Sequence, residues 1–188
     1  MSYGITRDEA LNLLMENIRN PNLIKHCLAS EAVMSAMADR LDEDREKWGL
    51  AGLLHDLDVE ITNADLSVHT LETEKILNEK GVDPEIIRAV KLHNEKAHKE
   101  KRSEIFHHAL AAGETITGLI IATALVYPDK KINSVKSKSI TKRMKEKHFA
   151  AGVDREIVME CTMLGMDIAE FAGLCLKAMQ SISDDLGL

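Results

Sequence analysis

Residues 103–126 have the sequence SEIFHHALAAGETITGLIIATALV. After Glu104 and the His107-His108 pair near its start, the stretch is mostly apolar and has one charged residue, Glu114, near its middle. Small and straight-chain residues predominate, and the apolar ones recur at helical spacing. The stretch therefore predicts one long helix at the centre of a helical protein. Glu114 would share a face with Leu110 and Ile121, and a carboxylate in such a place is costly unless something binds it.

The rest of the chain shows the same helical periodicity, divided by capping signals. A capping box from Thr6 to Glu9 predicts the start of the first helix. Four more helices are predicted before the central one, over Pro21 to about Leu41, Asp44 to His55, Val68 to Lys80 and Pro84 to His93. Others should open at Asp154 and near Asp167. Because no strand alternation or internal repeat is present, we predict an all-α, single-domain helical bundle.

Length and charge limit the possible classes of protein. The chain has 188 residues, of which 45% are hydrophobic, and a formal net charge of −7. This size supports one hydrophobic core. We expect residues 1–126 to form a helical domain, with a C-terminal helical extension, residues 127–188, packed on it. The negative charge argues against a nucleic-acid partner.

Targeting signals are not evident in the sequence. The first residues, MSYGITRDEALNLL, lack the basic and apolar regions of a signal peptide. The longest apolar stretch, Gly118 to Tyr127, is shorter than a membrane span of about 20 residues. Cys27, Cys161 and Cys175 have no metal or redox spacing, which suits a reducing compartment. We expect a cytoplasmic protein with no membrane partner, and we leave its oligomeric state open.

Six side chains of the metal-binding types occur within or beside the predicted helices. They are His26, His55, Asp56, His69, His93 and Glu114. A single inward-facing histidine is more often a core residue that donates to a backbone carbonyl than a ligand. The joint occurrence of imidazoles and carboxylates on separate helices is a stronger signal, and it predicts a metal site.

The mixed ligand types favour a divalent transition metal, Mn, Fe, Co, Ni or Zn, over calcium. Four ligands, His26, His55, Asp56 and Glu114, would hold one ion. If His69 and His93 also bind, the site could hold two ions with Asp56 as the bridge. In the one-ion case, these two histidines would instead contact a phosphate or protonate a leaving oxygen.

Four segments carry a resemblance to a known family. They are HCLASEAV from His26, GLLHDLD around His55 and Asp56, HTLETEKILNEKGVDPEIIRAVKLHN from His69, and ALAAGETITGLI around Glu114. From about Leu23 to Val126 the chain resembles the HD-domain superfamily of metal-dependent phosphohydrolases. Its tail is similar to that of an HDIG-like bacterial branch. The resemblance implies a helical bundle with metal ligands at these six positions and catalytic roles for Asp56, His69 and His93.

The chain departs from the family pattern in two places. The family has aspartate where Glu114 stands, and the extra methylene of glutamate could change metal affinity or preference. Many relatives carry a basic residue soon after the His-Asp pair, whereas here Leu57 to Glu60 follows. We interpret Asp58 as an acid that is solvated or supports a metal ligand, with proton transfer as the alternative.

Eight lysines and arginines occur between Lys130 and Lys147. This basic stretch is either a solvated helix face or a source of substrate-binding groups. In the second case, Lys142 or Arg143 would fold back over the site and bind a substrate phosphate.

The leading hypothesis is a metal-dependent phosphohydrolase that acts on a small phosphate ester or nucleotide through a metal-bound hydroxide. One alternative is a di-iron oxygenase on the same scaffold. Another is a non-catalytic metal or nucleotide sensor, in which Glu114 has weakened the metal site.

Overall fold

The computed structural model describes residues 3–188, and every regular element in that range is a helix. The helices are α1 (Arg7–Asn17), α2 (Pro21–Leu41), α3 (Arg45–Leu54), α4 (Leu71–Glu79), α5 (Pro84–His93), α6 (Ile105–Leu125), α7 (Ser137–Met144), α8 (Arg155–Val158), α9 (Ile168–Gln180) and α10 (Ser183–Leu186). Short 3₁₀ turns occupy Glu95–Ala97, Ile132–Ser134 and Met159–Leu164. The predicted all-α helical bundle is confirmed.

Side-chain caps start most of the helices where the sequence predicts them. The Thr6 hydroxyl accepts a hydrogen bond from the Glu9 amide and completes the capping box of α1. The Asp44 and Asp83 carboxylates cap α3 and α5 in the same way. A free amide at the start of a helix needs such an acceptor, so these boundaries could be inferred from residue type alone.

Helix α4 starts three residues later than predicted. The Val68 start was wrong because Thr70 has a φ of +84°, which no helix residue adopts, and residues 59–70 form turns. His69 therefore lies in the turn before α4 and not on the helix. It is nevertheless buried, with only 4% of its surface exposed.

Helix α6 is the central element of the bundle. It packs against α2, α3, α5 and the C-terminal helices α7, α8 and α9. By length and composition alone, this 21-residue helix could cross a membrane, but 61% of its most apolar window is buried within the protein. The burial is that of a core helix.

The C-terminal helices share the core of the rest of the protein. Helix α9 packs on α2 and α6, and its Phe171 and Cys175 belong to the same buried cluster as Met34 of α2. One continuous core thus includes side chains from both sides of residue 126. The predicted division at that residue stays a prediction.

Helices α2 and α3 lie close together at Gly52. A Cβ atom on Gly52 would lie 2.5 Å from the Ser30 carbonyl oxygen and 2.8 Å from the Glu31 amide nitrogen. Both contacts are with backbone, which cannot rotate away as a side chain can. Glycine is therefore required here by the spacing of the two helices.

We expect Gly52→Ala to lower the free energy of unfolding by about 1–3 kcal/mol, because the added methyl forces α2 and α3 apart. Urea denaturation measures this loss. Gly173→Ala in α9 is the control, because its Cβ would meet nothing within 4 Å. That change should stabilise the protein by about 0.5–1 kcal/mol. Equal effects of the two variants would contradict the close-contact account.

Candidate metal centre

Helix ends and the middle of one helix bring the six predicted residues together. His26 lies near the start of α2, His55 and Asp56 follow α3, His69 precedes α4, His93 ends α5, and Glu114 is in the middle of α6. All but His55 line one open cleft, and His55 is fully buried behind them.

The four histidines form two pairs around one carboxylate. The Nε2 atoms of His26 and His55 are 3.1 Å apart, and those of His69 and His93 are also 3.1 Å apart. Asp56 lies between the pairs. Its Oδ1 is 3.1 Å from His69 Nε2 and 3.5 Å from the Nε2 atoms of both His55 and His93.

Glu114 completes the cluster from α6. Its Oε2 lies 3.6 Å from His26 Nε2, and its Oε1 accepts a hydrogen bond from the Thr115 hydroxyl. Potential ligand atoms lie within 4.8 Å of one another in two sets of three, which are His26, His55 and Glu114, and His55, Asp56 and His93. The longer side chain of glutamate therefore still reaches the other candidate ligands.

Backbone carbonyls determine which nitrogen of His55 and His93 carries the proton. His55 Nδ1 is 2.9 Å from the Gly52 carbonyl oxygen, and His93 Nδ1 is 2.6 Å from the Val90 carbonyl oxygen. A carbonyl only accepts, so each neutral ring must carry its proton on Nδ1. Burial also lowers the pKa of His55 to about 3, which keeps that ring neutral. Both Nε2 atoms then present lone pairs.

In the neutral rings of His26 and His69, the proton is likewise placed on Nδ1. The Thr117 hydroxyl donates to the Glu114 carbonyl at 2.6 Å, so its oxygen accepts from His26 Nδ1 at 2.9 Å. His69 Nδ1 lies 2.7 Å from Asp58 Oδ1, which also only accepts. In their neutral forms all four rings turn Nε2 lone pairs toward one another, and such an arrangement is repulsive unless a cation lies among them.

The titration of the cluster supports a bound cation. Burial raises the pKa of Glu114 to about 8. Burial alone would lower the pKa of His69, but its hydrogen bonds to Asp56 and Asp58 raise it to about 9. Without a metal, Glu114 and His69 hold protons at neutral pH. A divalent ion would replace both protons, which is the usual coupling of metal binding to proton release.

Asp58 is buried and holds His69 in place, so the prediction that its carboxylate is exposed to solvent was wrong. Its carboxylate accepts from His69 Nδ1 and from the backbone amides of Thr70, Glu72 and Thr73 at 2.7–3.2 Å. These amides include the first free donors of α4, so one acid both caps the helix and orients the imidazole. Burial alone would raise the pKa of Asp58, but these hydrogen bonds lower it.

The donor set fits a divalent transition metal. Imidazole nitrogens and carboxylate oxygens together suit Mn, Fe, Co, Ni or Zn. The imidazoles are oriented by partners on Nδ1, as metal-binding histidines are in general. The chain can therefore hold a metal here, and the identity of the ion and the choice between one and two ions stay predictions.

Lys142 and Arg143 do not line the cleft. Arg143 pairs with Glu146 and stacks on the Phe149 ring, with 4.2 Å between the guanidinium carbon and the ring centroid. Lys142 is largely exposed to solvent. Their role in substrate binding stays a prediction without support from this placement.

Other lysines of the chain do reach the cleft, namely Lys96, Lys101, Lys145 and Lys147. Lys145 and Lys147 belong to the basic stretch, but its helical pattern does not indicate which members face the site. No sequence pattern indicates Thr117 as the partner of His26 either, because the contact joins residues that are far apart in the chain.

We expect Asp58→Asn to lower the free energy of unfolding by about 1–3 kcal/mol at neutral pH, because an amide cannot accept all four hydrogen bonds. A carboxylate with a lowered pKa stabilises the fold above its ordinary value of 3.8 and loses this contribution as pH falls. The difference from wild type should therefore shrink below about pH 3.8, as urea titrations at several pH values can measure. Asp42→Asn is the control, because Asp42 is exposed and its carboxylate forms no hydrogen bond within residues 3–188. A pH-independent difference would contradict this role.

The model of the HD domain matches residues 23–125, more than half of the chain. The match runs from within α2 to the last residue of α6, so it includes all six candidate ligands. No curated protein and no solved structure matches the chain. HD domains bind divalent metals and are typically metal-dependent hydrolases. The match confirms what the sequence motifs indicate: the chain belongs to the HD-domain family.

Proposed function

We propose that the protein is a metal-dependent phosphohydrolase that acts on a small phosphorylated substrate. One observation carries the proposal. Four imidazoles, each held by an acceptor on Nδ1 so that Nε2 faces the other candidate ligands, surround the Asp56 carboxylate beside an open cleft. Such a cluster can hold a metal and is open to a substrate, and membership of the HD-domain family makes hydrolysis of a phosphate ester its expected use.

A divalent ion at such a site polarises a phosphoryl oxygen and lowers the pKa of a bound water toward 7. The residues of the chain supply the frame for this chemistry. Asp56 Oδ1 is close to both histidine pairs, so Asp56 would serve both if two ions bind. His69 and His93 would then hold the second ion, and Asp58 and the Val90 carbonyl keep their rings in orientation.

The cleft itself favours a phosphorylated substrate. It has a volume of about 1140 Å³ and is lined by six cationic side chains besides the candidate ligands. An oxygenase substrate without charge would gain nothing from these cations. Glu114 lies within reach of His26, which supports its role as a ligand and argues against a site that has lost its metal.

We expect His55→Ala to lower metal affinity at least about tenfold, because the ring supplies one ligand atom and borders both sets of ligands. Metal content after loading with Mn²⁺, Co²⁺, Ni²⁺ or Zn²⁺ and desalting measures the change. His148→Ala is the matched control, since that histidine is exposed and outside the cluster. Equal metal content in the wild type and both variants would refute the assignment of the site.

We expect hydrolysis of at least one phosphomonoester or nucleotide that depends on added metal and falls at least about a hundredfold in Asp56→Asn. The amide keeps the shape of the side chain but removes the charge that two histidine pairs surround. Phosphate release from a panel of nucleotides and sugar phosphates is the measurement. Asp42→Asn is the control, because this exposed residue ends α2 in a left-handed conformation that asparagine tolerates. If every activity survives in Asp56→Asn, the hydrolase proposal is wrong.

A further inference from the structure

The cleft is locally basic although the protein as a whole is acidic. Six cations line it, namely Lys96, Lys101, Arg102, Lys145, Lys147 and Arg155. Besides the candidate ligands, only three acids line it, which leaves an excess of three positive charges in a chain of net charge −7. A concentration of opposite charge in a concave surface focuses the electrostatic field on a ligand.

Three of the six cations already have internal partners. Lys101 pairs with Glu95 at 2.7 Å. Arg102 is largely buried and binds both carboxylate oxygens of Glu160 at 2.7 and 2.9 Å. The third, Arg155, donates to backbone carbonyls. These groups hold the walls of the cleft together and have little capacity left for a ligand.

The other three cations are free to bind an anion. Lys96, Lys145 and Lys147 are exposed, and none of them forms an ion pair within 4.0 Å in the described range, residues 3–188. The three acids of the lining, Glu95, Asp154 and Glu156, form no ion pair with these lysines. Asp154 uses its carboxylate to cap α8, and Glu95 binds Lys101 and the Arg102 amide.

The segment that carries Lys145 and Lys147 is held in a defined shape. Its irregular backbone folds around Arg155, whose guanidinium donates to the carbonyls of Ala150 and Val153 at 2.6 Å and to that of Phe149. The Phe149 ring stacks against Arg143. The two lysines therefore reach the cleft from an ordered wall and not from a free tail.

We propose that Lys145 and Lys147, with Lys96 from the 3₁₀ turn after α5, form a second anion subsite that binds a phosphate group of the substrate other than the one at the metal centre. The inference rests on the proposed function, because it places the reacting phosphate among His26, Asp56 and Glu114. It narrows the substrate to small molecules with two or more phosphate groups, such as nucleoside di- and triphosphates.

The dimensions of the cleft agree with this class of substrate. Its volume of about 1140 Å³ exceeds the range of about 300–1,000 Å³ that is usual for small-molecule sites, so it is larger than a simple monoester needs. Val59, Ala64 and Leu66 add an apolar strip to the lining, on which a nucleoside base can lie. The acidic surface elsewhere disfavours a long nucleic acid.

Titration calorimetry at constant free Mn²⁺ tests the subsite without requiring turnover. The probes are adenosine monophosphate and the β,γ-methylene analogue of adenosine triphosphate. We expect the double variant Lys145→Ala/Lys147→Ala to bind the triphosphate analogue at least about tenfold more weakly than wild type does. Its affinity for the monophosphate should fall less than about twofold. The control is Lys136→Ala/Lys138→Ala, which removes the same charge from exposed positions of the same basic stretch outside the cleft.

An equal loss of affinity for both probes, or equal effects of the two double variants, would overturn the proposal of a second subsite. The loss would then come from the overall electrostatic field of the protein. A separate assay of phosphate release addresses the proposed function. Retention of the affinity difference, with no hydrolysis of any phosphate ester, would refute the hydrolase and leave the subsite intact.

Discussion

The structure depends on the acceptors that hold the Nδ1 protons of four buried imidazoles. Each acceptor is a group that cannot donate at that point, so in a neutral ring the opposite nitrogen, Nε2, presents a lone pair. Two pairs of these nitrogens lie 3.1 Å apart. Facing lone pairs repel each other, and a cation removes the repulsion: the proton on His69 does so for one pair in the metal-free protein, and a bound metal would do so for both.

The helical architecture sets the positions of these acceptors. His55 and His93 each lie at the carboxyl end of a helix and bond to the carbonyl three residues earlier, from Gly52 and Val90. Gly52 also allows α2 to approach α3 closely enough to bring His26 beside His55. The same helix packing that forms the core thus determines the distances within the site. A shift of one helix would change the core packing and the site distances together.

Much of this could be predicted from residue types. Capping residues fixed the starts of α1, α3 and α5, and the six candidate ligands stood out because imidazoles and carboxylates are rare on apolar helix faces. The start of α4 could not be predicted, because it depends on the positive φ of Thr70, which is stabilised by hydrogen bonds from the Thr70 amide to the Asp58 carboxylate, twelve residues earlier in the chain. The bonds from Thr70 to Asp58 exist only after the turn has formed.

The sequence also does not indicate that Lys145 and Lys147 line the cleft. Every residue from Lys142 to Lys147 except Met144 is polar or charged, so periodicity gives little indication of which side chains face the metal centre. The answer depends on the irregular backbone after α7, which is held in shape by hydrogen bonds from Arg155 to the carbonyls of Phe149, Ala150 and Val153. Such a contact between an irregular segment and one guanidinium leaves no repeating pattern in the chain.

The most direct test of the account is the tautomer of the site histidines, observed by ¹⁵N–¹H correlation NMR on the metal-free protein and again after zinc is added. The account predicts that His26 and His55 are neutral with the proton on Nδ1, that His93 carries a proton on Nδ1, and that zinc changes the signals of all three Nε2 atoms. A proton on Nε2 of His55 or His93, or Nε2 signals that zinc leaves unchanged, would contradict it.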